Sequence, residues 1–316
     1  MNVSIVIPNY NGEKVLRNNL PEVISSAVYT CNNTDIKVEI IIVDDSSSDS
    51  SVQVIKEIQK SNKEINIKLI QNKKNIGFSS TANDGVEAAI YEIVVLLNTD
   101  VIPEQDFLVS LVTHFTNEKV FAVGCMDKSV EGDGITLRGR GVGRWHRGFL
   151  THSRGEINRN NTLWASGGSS AFNKNIWDKL GGLYAIYNPF YWEDIDLSYR
   201  AQKAGYMVLF DKESIVTHRH DTGVIKASYA SSSIKTTAYR NQIIFAWINM
   251  TDSELLLNHL FWLPIHILLA IFRVDIWFLI GLGKAIASIL SVVRFRLKTQ
   301  RLAVITDENI IKSITL

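Results

Sequence analysis

The chain has 316 residues, 46% hydrophobic and 21% charged, with a formal net charge of +1. That length supports a sizeable core, in two domains or one large one. The near-neutral balance gives no electrostatic case for nucleic acid as the main partner.

Cys31 and Cys125 form neither a metal-binding spacing nor a disulfide framework. They fit a reducing, cytosolic setting. The start, Met1-Asn2-Val3-Ser4-Ile5, lacks a charged region followed by a long apolar one, so no signal peptide is expected. Val3–Ile7 is a short apolar strand ended by the turn residues Pro8-Asn9-Tyr10-Asn11-Gly12. Residues 13–29 carry Val15, Leu16, Leu20, Val23, Ile24 and Ala27 on a helical face, and Pro21 is expected to kink or restart that helix.

Val38–Val43 reads as a second buried strand, ending in Asp44-Asp45-Ser46-Ser47-Ser48-Asp49-Ser50. One of these polar residues suits the N-cap of a helix over 51–60. Two adjacent carboxylates after a buried strand exceed what a cap needs, and a carboxylate there can accept the N3–H of a uracil or thymine ring. A third strand, Ile67–Ile70, leads into a polar run, Asn72–Gly85, within which a helix starts near Ser79. Its free N–H groups form either an anion seat or an ordinary cap.

Ile93–Leu97 is a continuous apolar run, the pattern of a strand buried on both faces of a parallel sheet. It runs straight into Asn98-Thr99-Asp100. Open α/β sheets bind ligands just outside the carboxyl ends of their strands. Asp100 at that edge can hold a hard cation beside a phosphate, or else cap a helix over 104–116. Strands and helices alternating to residue 100 define a doubly wound, Rossmann-like half. The absence of Gly-x-Gly-x-x-Gly after the first strand argues against NAD or FAD, and there is no Walker A sequence.

Residues 120–125 form a further strand. Residues 127–160 are rich in glycine and arginine and read as a β-hairpin and loop region over the sheet edge. Trp164–Phe172 returns to a strand through Gly167-Gly168. A short helix, 176–180, closes at Gly181-Gly182. A helix from Glu193 to Gly205 then carries Glu193, Asp194 and Asp196 in its first turn, directly after Phe190-Tyr191-Trp192. Acidic groups suit a helix N-terminus, but neighbouring aromatic rings desolvate them and make a carboxylate a usable base. Strands over 206–210 and 214–220 follow, the second bearing His218, a residue type that partners Mn²⁺ alongside a carboxylate.

Taken in order, Val3–Gly12, Ile41–Ser51, Asn75–Gly85, Leu96–Asp100, Gly181-Gly182 and Trp192–Gly205 resemble the family-2 glycosyltransferases of the GT-A fold, in particular the rhamnosyltransferase-like branch that builds surface polysaccharides. The resemblance covers roughly residues 1–225. It implies that Pro8, Asn9 and Tyr10 line a nucleotide pocket, with Asp44 or Asp45 reading the base. Asn75, Gly77 and Asn83 would sit near the ribose and diphosphate. Asn98-Thr99-Asp100 takes the place of the family's Asp-x-Asp, with Asp100 as metal ligand and a neutral Asn98 where the pattern is acidic. His218 lies where some members place a histidine on the metal. Asp194 matches the family's base, flanked by Glu193. The implied activity is inverting, Mn²⁺- or Mg²⁺-dependent transfer from a nucleoside-diphosphate sugar to a glycan or polyprenyl-linked acceptor. The alternative is a non-catalytic sugar-nucleotide-binding or scaffold protein of the same fold.

Beyond residues 227–250, which read as helical, Leu255–Phe272 and Ile276–Val293 are apolar segments interrupted by Asn258, His259, Pro264 and His266 in the first and Lys284 in the second. Arg294, Arg296, Lys298 and Arg301 follow. Interfacial helices on the inner face of the cell membrane are expected ahead of a spanning hairpin or a buried helical pair. The expected organisation is a nucleotide-sugar-binding half (1–100), an acceptor and catalytic half (101–225) and a membrane-associated helical region (226–316) of a cytoplasmic, peripheral protein.

Overall fold

The computed structural model describes residues 1–131, 134–219 and 229–315. Four strands, β1 (Val3–Asn9), β2 (Val38–Asp44), β3 (Asn66–Gln71) and β4 (Ile93–Leu97), run parallel in the order β3-β2-β1-β4. β1, β2 and β4 are apolar on both faces because helices cover both. Ile5, Ile40, Ile42 and Val95 pack with helices α1 (Glu13–Asn33) and α2 (Ser51–Ser61). Val6, Ile41, Val94 and Leu96 pack with α3 (Phe78–Ala88). α1 continues through Pro21 as one helix and does not restart there. Pro21 and Arg17 are both solvent-exposed, so the carbonyl that loses its intrahelical donor can turn to water.

After β4 comes a three-residue strand, β5 (Val101–Pro103), and helix α4 spans only Phe107–Thr113 before a 3₁₀ turn. Asp100 therefore does not cap that helix. β6 (Val120–Glu131) and β7 (Gly134–Arg138) pair with each other, and β8 (Gly141–His146) and β9 (Phe149–Arg154) form a separate hairpin. β10 (Ser169–Asn173) runs antiparallel between β4 and β6. It is followed by α5 (Lys174–Leu180) and α6 (Glu193–Lys203). β11 is one long strand, Met207–Arg219, with an irregularity between Asp211 and Ile215 where two strands were expected. Its far end pairs with β5, setting His218 opposite Val101, next to Asp100.

Among the described residues after β11, five helices follow: α7 (Ser231–Asn249), α8 (Ser253–Phe272), α9 (Ile276–Ala287), α10 (Ile289–Gln300) and α11 (Asp307–Thr315). The expected boundary at residues 225/226 lies outside the described residues. One apolar core holds Phe149 and Leu150 of the hairpin, Ile195 and Tyr199 of α6, and Ile244, Phe245, Leu282 and Val292 of the C-terminal helices. The second apolar segment is not a single helix, since α9 and α10 meet at 68°. Their buried residues Ala285 and Val292 lie on either side of the break at Ser288, so both halves bury an apolar residue.

A buried ion pair fastens this region to α6. Lys203 Nζ lies 2.6 Å from Asp307 Oδ1, and it also donates to Asn249 O and Thr251 Oγ1. Asp307 further accepts from Tyr199 Oη and the Thr251 and Asp252 amides. Burial alone would raise Asp307, but Lys203 and these amides hold it below the usual carboxylate range, whereas burial pulls Lys203 down. The saturated hydrogen-bond set around Asp307 marks the charged form as the native one. Lys203→Met should therefore destabilise the protein by about 3–5 kcal/mol, the effect of orphaning one member of a buried pair, read as a lower urea midpoint. The Asp307 contribution is present above the unfolded-state value near ~4 and is lost as pH falls through the depressed folded value. Acid should thus narrow the gap between variant and wild type.

Candidate active site

The carboxyl ends of β1, β2 and β4 converge, as their parallel pairing requires. Asp44 is buried; its Oδ1 accepts from Asn9 Nδ2 (2.7 Å) and Ser47 Oγ (2.6 Å), and its Oδ2 from the Ser47 amide. Asp45 accepts from the Ile76 and Gly77 amides and from Asn72 Nδ2. Of the two uses open to the amides ahead of α3, those of Ile76 and Gly77 go to an internal carboxylate, and the Ser79 amide donates to Asn188 Oδ1 (3.0 Å). Pro8 and Tyr10 are half-buried beside these carboxylates, and the buried Asn9 Oδ1 has no hydrogen-bond partner. Tyr229, which sequence reasoning did not select, lies close enough to Tyr10 and Asp45 to feel both electrostatically, and packs edge-on against Phe190 at 4.8 Å.

Asn75 is exposed, and Gly77 has φ +83°, where a Cβ would meet Asn188 Cγ at 2.8 Å. Glycine is required there on both counts. Asn83 is committed elsewhere: its Nδ2 donates to Leu183 O and its Oδ1 accepts from Leu183 N. With Trp177 and Lys174 it lines a cleft of about 430 Å³.

At the end of β4, the Asn98 amide donates to Gly168 O (2.9 Å), and Thr99 O accepts from Asn19 Nδ2. Asp100 Oδ2 lies 3.2 Å from His218 Nε2, and the other ring nitrogen, Nδ1, lies 3.3 Å from Asp127 Oδ2. Burial alone would lower His218, but bonds to both carboxylates push it up to about 9. Asp127 was not legible locally; the pairing of β6 with β11 brings it there. The two carboxylates bond to different ring nitrogens and so cannot share one ion through His218. Consistent with this, no three-donor metal cluster is found among the described residues. As it stands His218 is paired through both ring nitrogens; holding a divalent ion with Asp100 would require the ring to give up its proton and its Asp100 bond, the ion being completed by ligand oxygens and water.

Asp194 faces this edge. Its Oδ2 accepts from the Gly167 amide (3.2 Å) and its Oδ1 from Ile195 N (2.8 Å). Gly167-Gly168 therefore bridges Asp194 and Asn98 through adjacent backbone groups. A Cβ on Gly168 would sit 2.5 Å from Asn98 Nδ2. Burial raises Asp194 despite those amides and the nearby His152. Glu193 is buried, its Oε2 lacks a partner, and burial followed by the Asp194 charge raises it well above its ordinary value. Asp196 is the structural member, fully buried and bound by Tyr187 Oη, Asn249 Nδ2 and Arg200 Nε.

The chain matches the description "Glycosyl transferase family 2" over residues 4–181, more than half its length, and it belongs to that family. It is 35% identical over 99 residues to the undecaprenyl-phosphate 4-deoxy-4-formamido-L-arabinose transferase of Pectobacterium carotovorum, covering 31% of this chain and 29% of that protein. It is 22% identical over 226 residues to the O-antigen chain rhamnosyltransferase RfbN of Salmonella typhimurium, covering 70% and 67%. A mannosyltransferase of Pyrobaculum calidifontis, solved with GDP-Man and Mn²⁺, superposes with a TM-score of 0.57 at 15% identity, over 99% of this chain and 83% of that one. The fold is GT-A. The chain spans about a third of the length of the first curated relatives it matches.

Asp45→Ala leaves the Ile76 and Gly77 amides without their acceptor. It should destabilise the protein by about 1–3 kcal/mol, read as a lower thermal denaturation midpoint.

Proposed function

We propose that this protein transfers a glycosyl group from a nucleoside-diphosphate sugar to a hydroxyl of a glycan or lipid-linked acceptor, with inversion. The observation that carries this reading is the Gly167-Gly168 bridge. It sets a desolvated carboxylate, Asp194, across from the strand ends where a nucleotide and its diphosphate would lie. In a single displacement Asp194 takes the proton of the acceptor hydroxyl as that oxygen bonds to the anomeric carbon. The bond from that carbon to the diphosphate breaks on the opposite face. Burial keeps the Asp194 carboxylate basic, and Glu193, buried beside it, is raised in turn by the Asp194 charge. Asp100 and His218 would hold a divalent ion, which when bound supplies positive charge to the diphosphate leaving group. Pro8, Asn9 and Tyr10 line the nucleotide side, with Asp44 and Asp45 fixing its loops. The division into donor, acceptor and membrane-associated parts belongs to the same reading.

The relatives support a lipid-linked acceptor, and so does the polarity of α8. Three of its four interrupting residues meet the β8–β9 hairpin, while Pro264 is exposed: Asn258 Oδ1 accepts from Trp145 Nε1, His259 Nδ1 bonds Gly148 O, and His266 Nε2 bonds Arg147 O. Leu257, Leu260, Phe261, Leu268 and Phe272 are exposed by 64–86%. Arg273, Lys284, Arg294 and Arg301 are also exposed. An outward apolar face with a basic rim fits an anionic bilayer surface, here the cytoplasmic leaflet.

Asp194→Asn should abolish turnover while keeping the thermal shift produced by Mn²⁺ with nucleoside diphosphate; Asp100→Ala should lose that shift. Normal turnover by Asp194→Asn removes the residue from its role. The full chain should float with phosphatidylglycerol vesicles, and a Leu260→Glu/Phe261→Glu/Leu268→Glu variant should not. A dimer-to-monomer change with flotation unaltered would instead place a second copy on this face.

A further inference from the structure

The loop that delivers Asp194 is held from behind by α7. Tyr191 and Trp192 both occupy the left-handed region, with φ +72° and +76°. Aromatic residues there are strained and persist only where the surroundings impose that conformation. No side chain caps α6 at Trp192.

The restraint is Asn241, which is fully buried. Its Nδ2 lies 2.9 Å from Tyr187 O, 2.9 Å from Phe190 O and 2.8 Å from Tyr191 O. Its Oδ1 accepts from Arg240 Nε at 2.8 Å, which fixes the amide's orientation. Arg240 Nη2 donates to Ile186 O (3.1 Å) and Asn188 O (2.6 Å). Asn188 in turn holds the Ile76–Ser80 loop through Ile76 O and Ser80 Oγ. Further along α7, Asn249 Nδ2 grips Asp196 Oδ1 at 2.7 Å. α7 is itself braced by α9, whose Gly281 would place a Cβ 3.0 Å from Thr236 O and 3.1 Å from Arg240 N.

An asparagine suits this position because its neutral amide supplies donors to carbonyls without burying a charge. An aspartate of the same shape would present oxygens to those carbonyls instead.

We propose that Asn241, oriented by Arg240, is a positioning residue for glycosyl transfer: it fixes the strained Tyr191-Trp192 turn and so aims the Asp194 carboxylate at the acceptor hydroxyl. This rests on Asp194 being the base. The test is steady-state kinetics of the full chain on vesicles, with Asn241→Asp and Arg240→Met beside wild type and Asp194→Asn. Asn241→Asp should lower kcat by about a hundredfold, the usual consequence of misaligning a reacting group by an ångström. The KM for donor should stay within about twofold and the nucleotide-induced thermal shift should persist, since a kcat-only loss is one realised in the transition state. Arg240→Met, on a half-buried side chain, should show the same split to a smaller degree, and it decides the matter if Asn241→Asp does not fold. Adding Tyr191→Gly to Asn241→Asp should restore part of kcat, because glycine takes that φ without strain.

A lower melting midpoint with wild-type kcat per folded molecule in both variants would overturn the proposal. If Asp194→Asn is inactive while both variants turn over normally, positioning alone fails. If Asp194→Asn is active, the base assignment fails and takes the proposal with it.

Discussion

The architecture depends on a backbone step of two glycines. Gly167 gives its N–H to Asp194, and Gly168 gives its carbonyl to Asn98. These residues precede β10, the antiparallel strand inserted beside β4. In an all-parallel sheet the chain would enter a strand beside β4 at the opposite edge. The reversal brings it in at the carboxyl edge of β4, where its backbone meets the Asn98 amide and the Asp194 carboxylate. A side chain at Gly168 would displace Asn98. The open ends of β1, β2 and β4 then form one wall, and the start of α6 forms another.

The second wall is held both from within and from outside its own stretch of chain. Inside α6, Asp196 pairs with Arg200 one turn on, whose guanidinium also binds Leu180 O and Gly182 O and lies 3.7 Å from the centre of the Tyr184 ring. Its far end is tied through Lys203 to Asp307, and its near end through Asn249 to α7. The C-terminal helices are thus part of what holds the site. The same helices turn apolar side chains outward.

The strands of the Rossmann-like half were legible because burial on both faces leaves an uninterrupted apolar run, as in Ile40–Val43 and Ile93–Leu97. β5 was not, since three residues carry no period. Nor was the role of Asp49, which caps two helices by accepting from the Glu13 and Ser51 amides. Asp44 and Asp45 were picked out as a pair, but what they bind is decided by loops that arrive from elsewhere in the chain. Asp127 and Asn241 share that difficulty. Asp127 reaches His218 only through the β6–β11 register, and Asn241 looks like any polar residue on a helix. The interruptions in α8 misled in the other direction. Asn258, His259 and His266 seemed to spoil a membrane-facing segment, but the β8–β9 hairpin tip supplies their partners.

The first turn of α6 shows how one fold separates like residues by environment. Asp196 meets a guanidinium, a phenol and an amide and is consumed in structure. Asp194 has two backbone N–H donors, enough to fix its orientation but too few to satisfy both oxygens. Glu193 keeps an oxygen with no partner, a costly state for a buried carboxylate that protonation relieves. Two neighbouring acids cannot both ionise freely in a dry site. Glu193, buried deeper and less satisfied, is the one that retains its proton, leaving the charge on the oxygen-bearing group that faces the strand ends. A helix dipole would favour all three carboxylates alike. Their partners are what divide them.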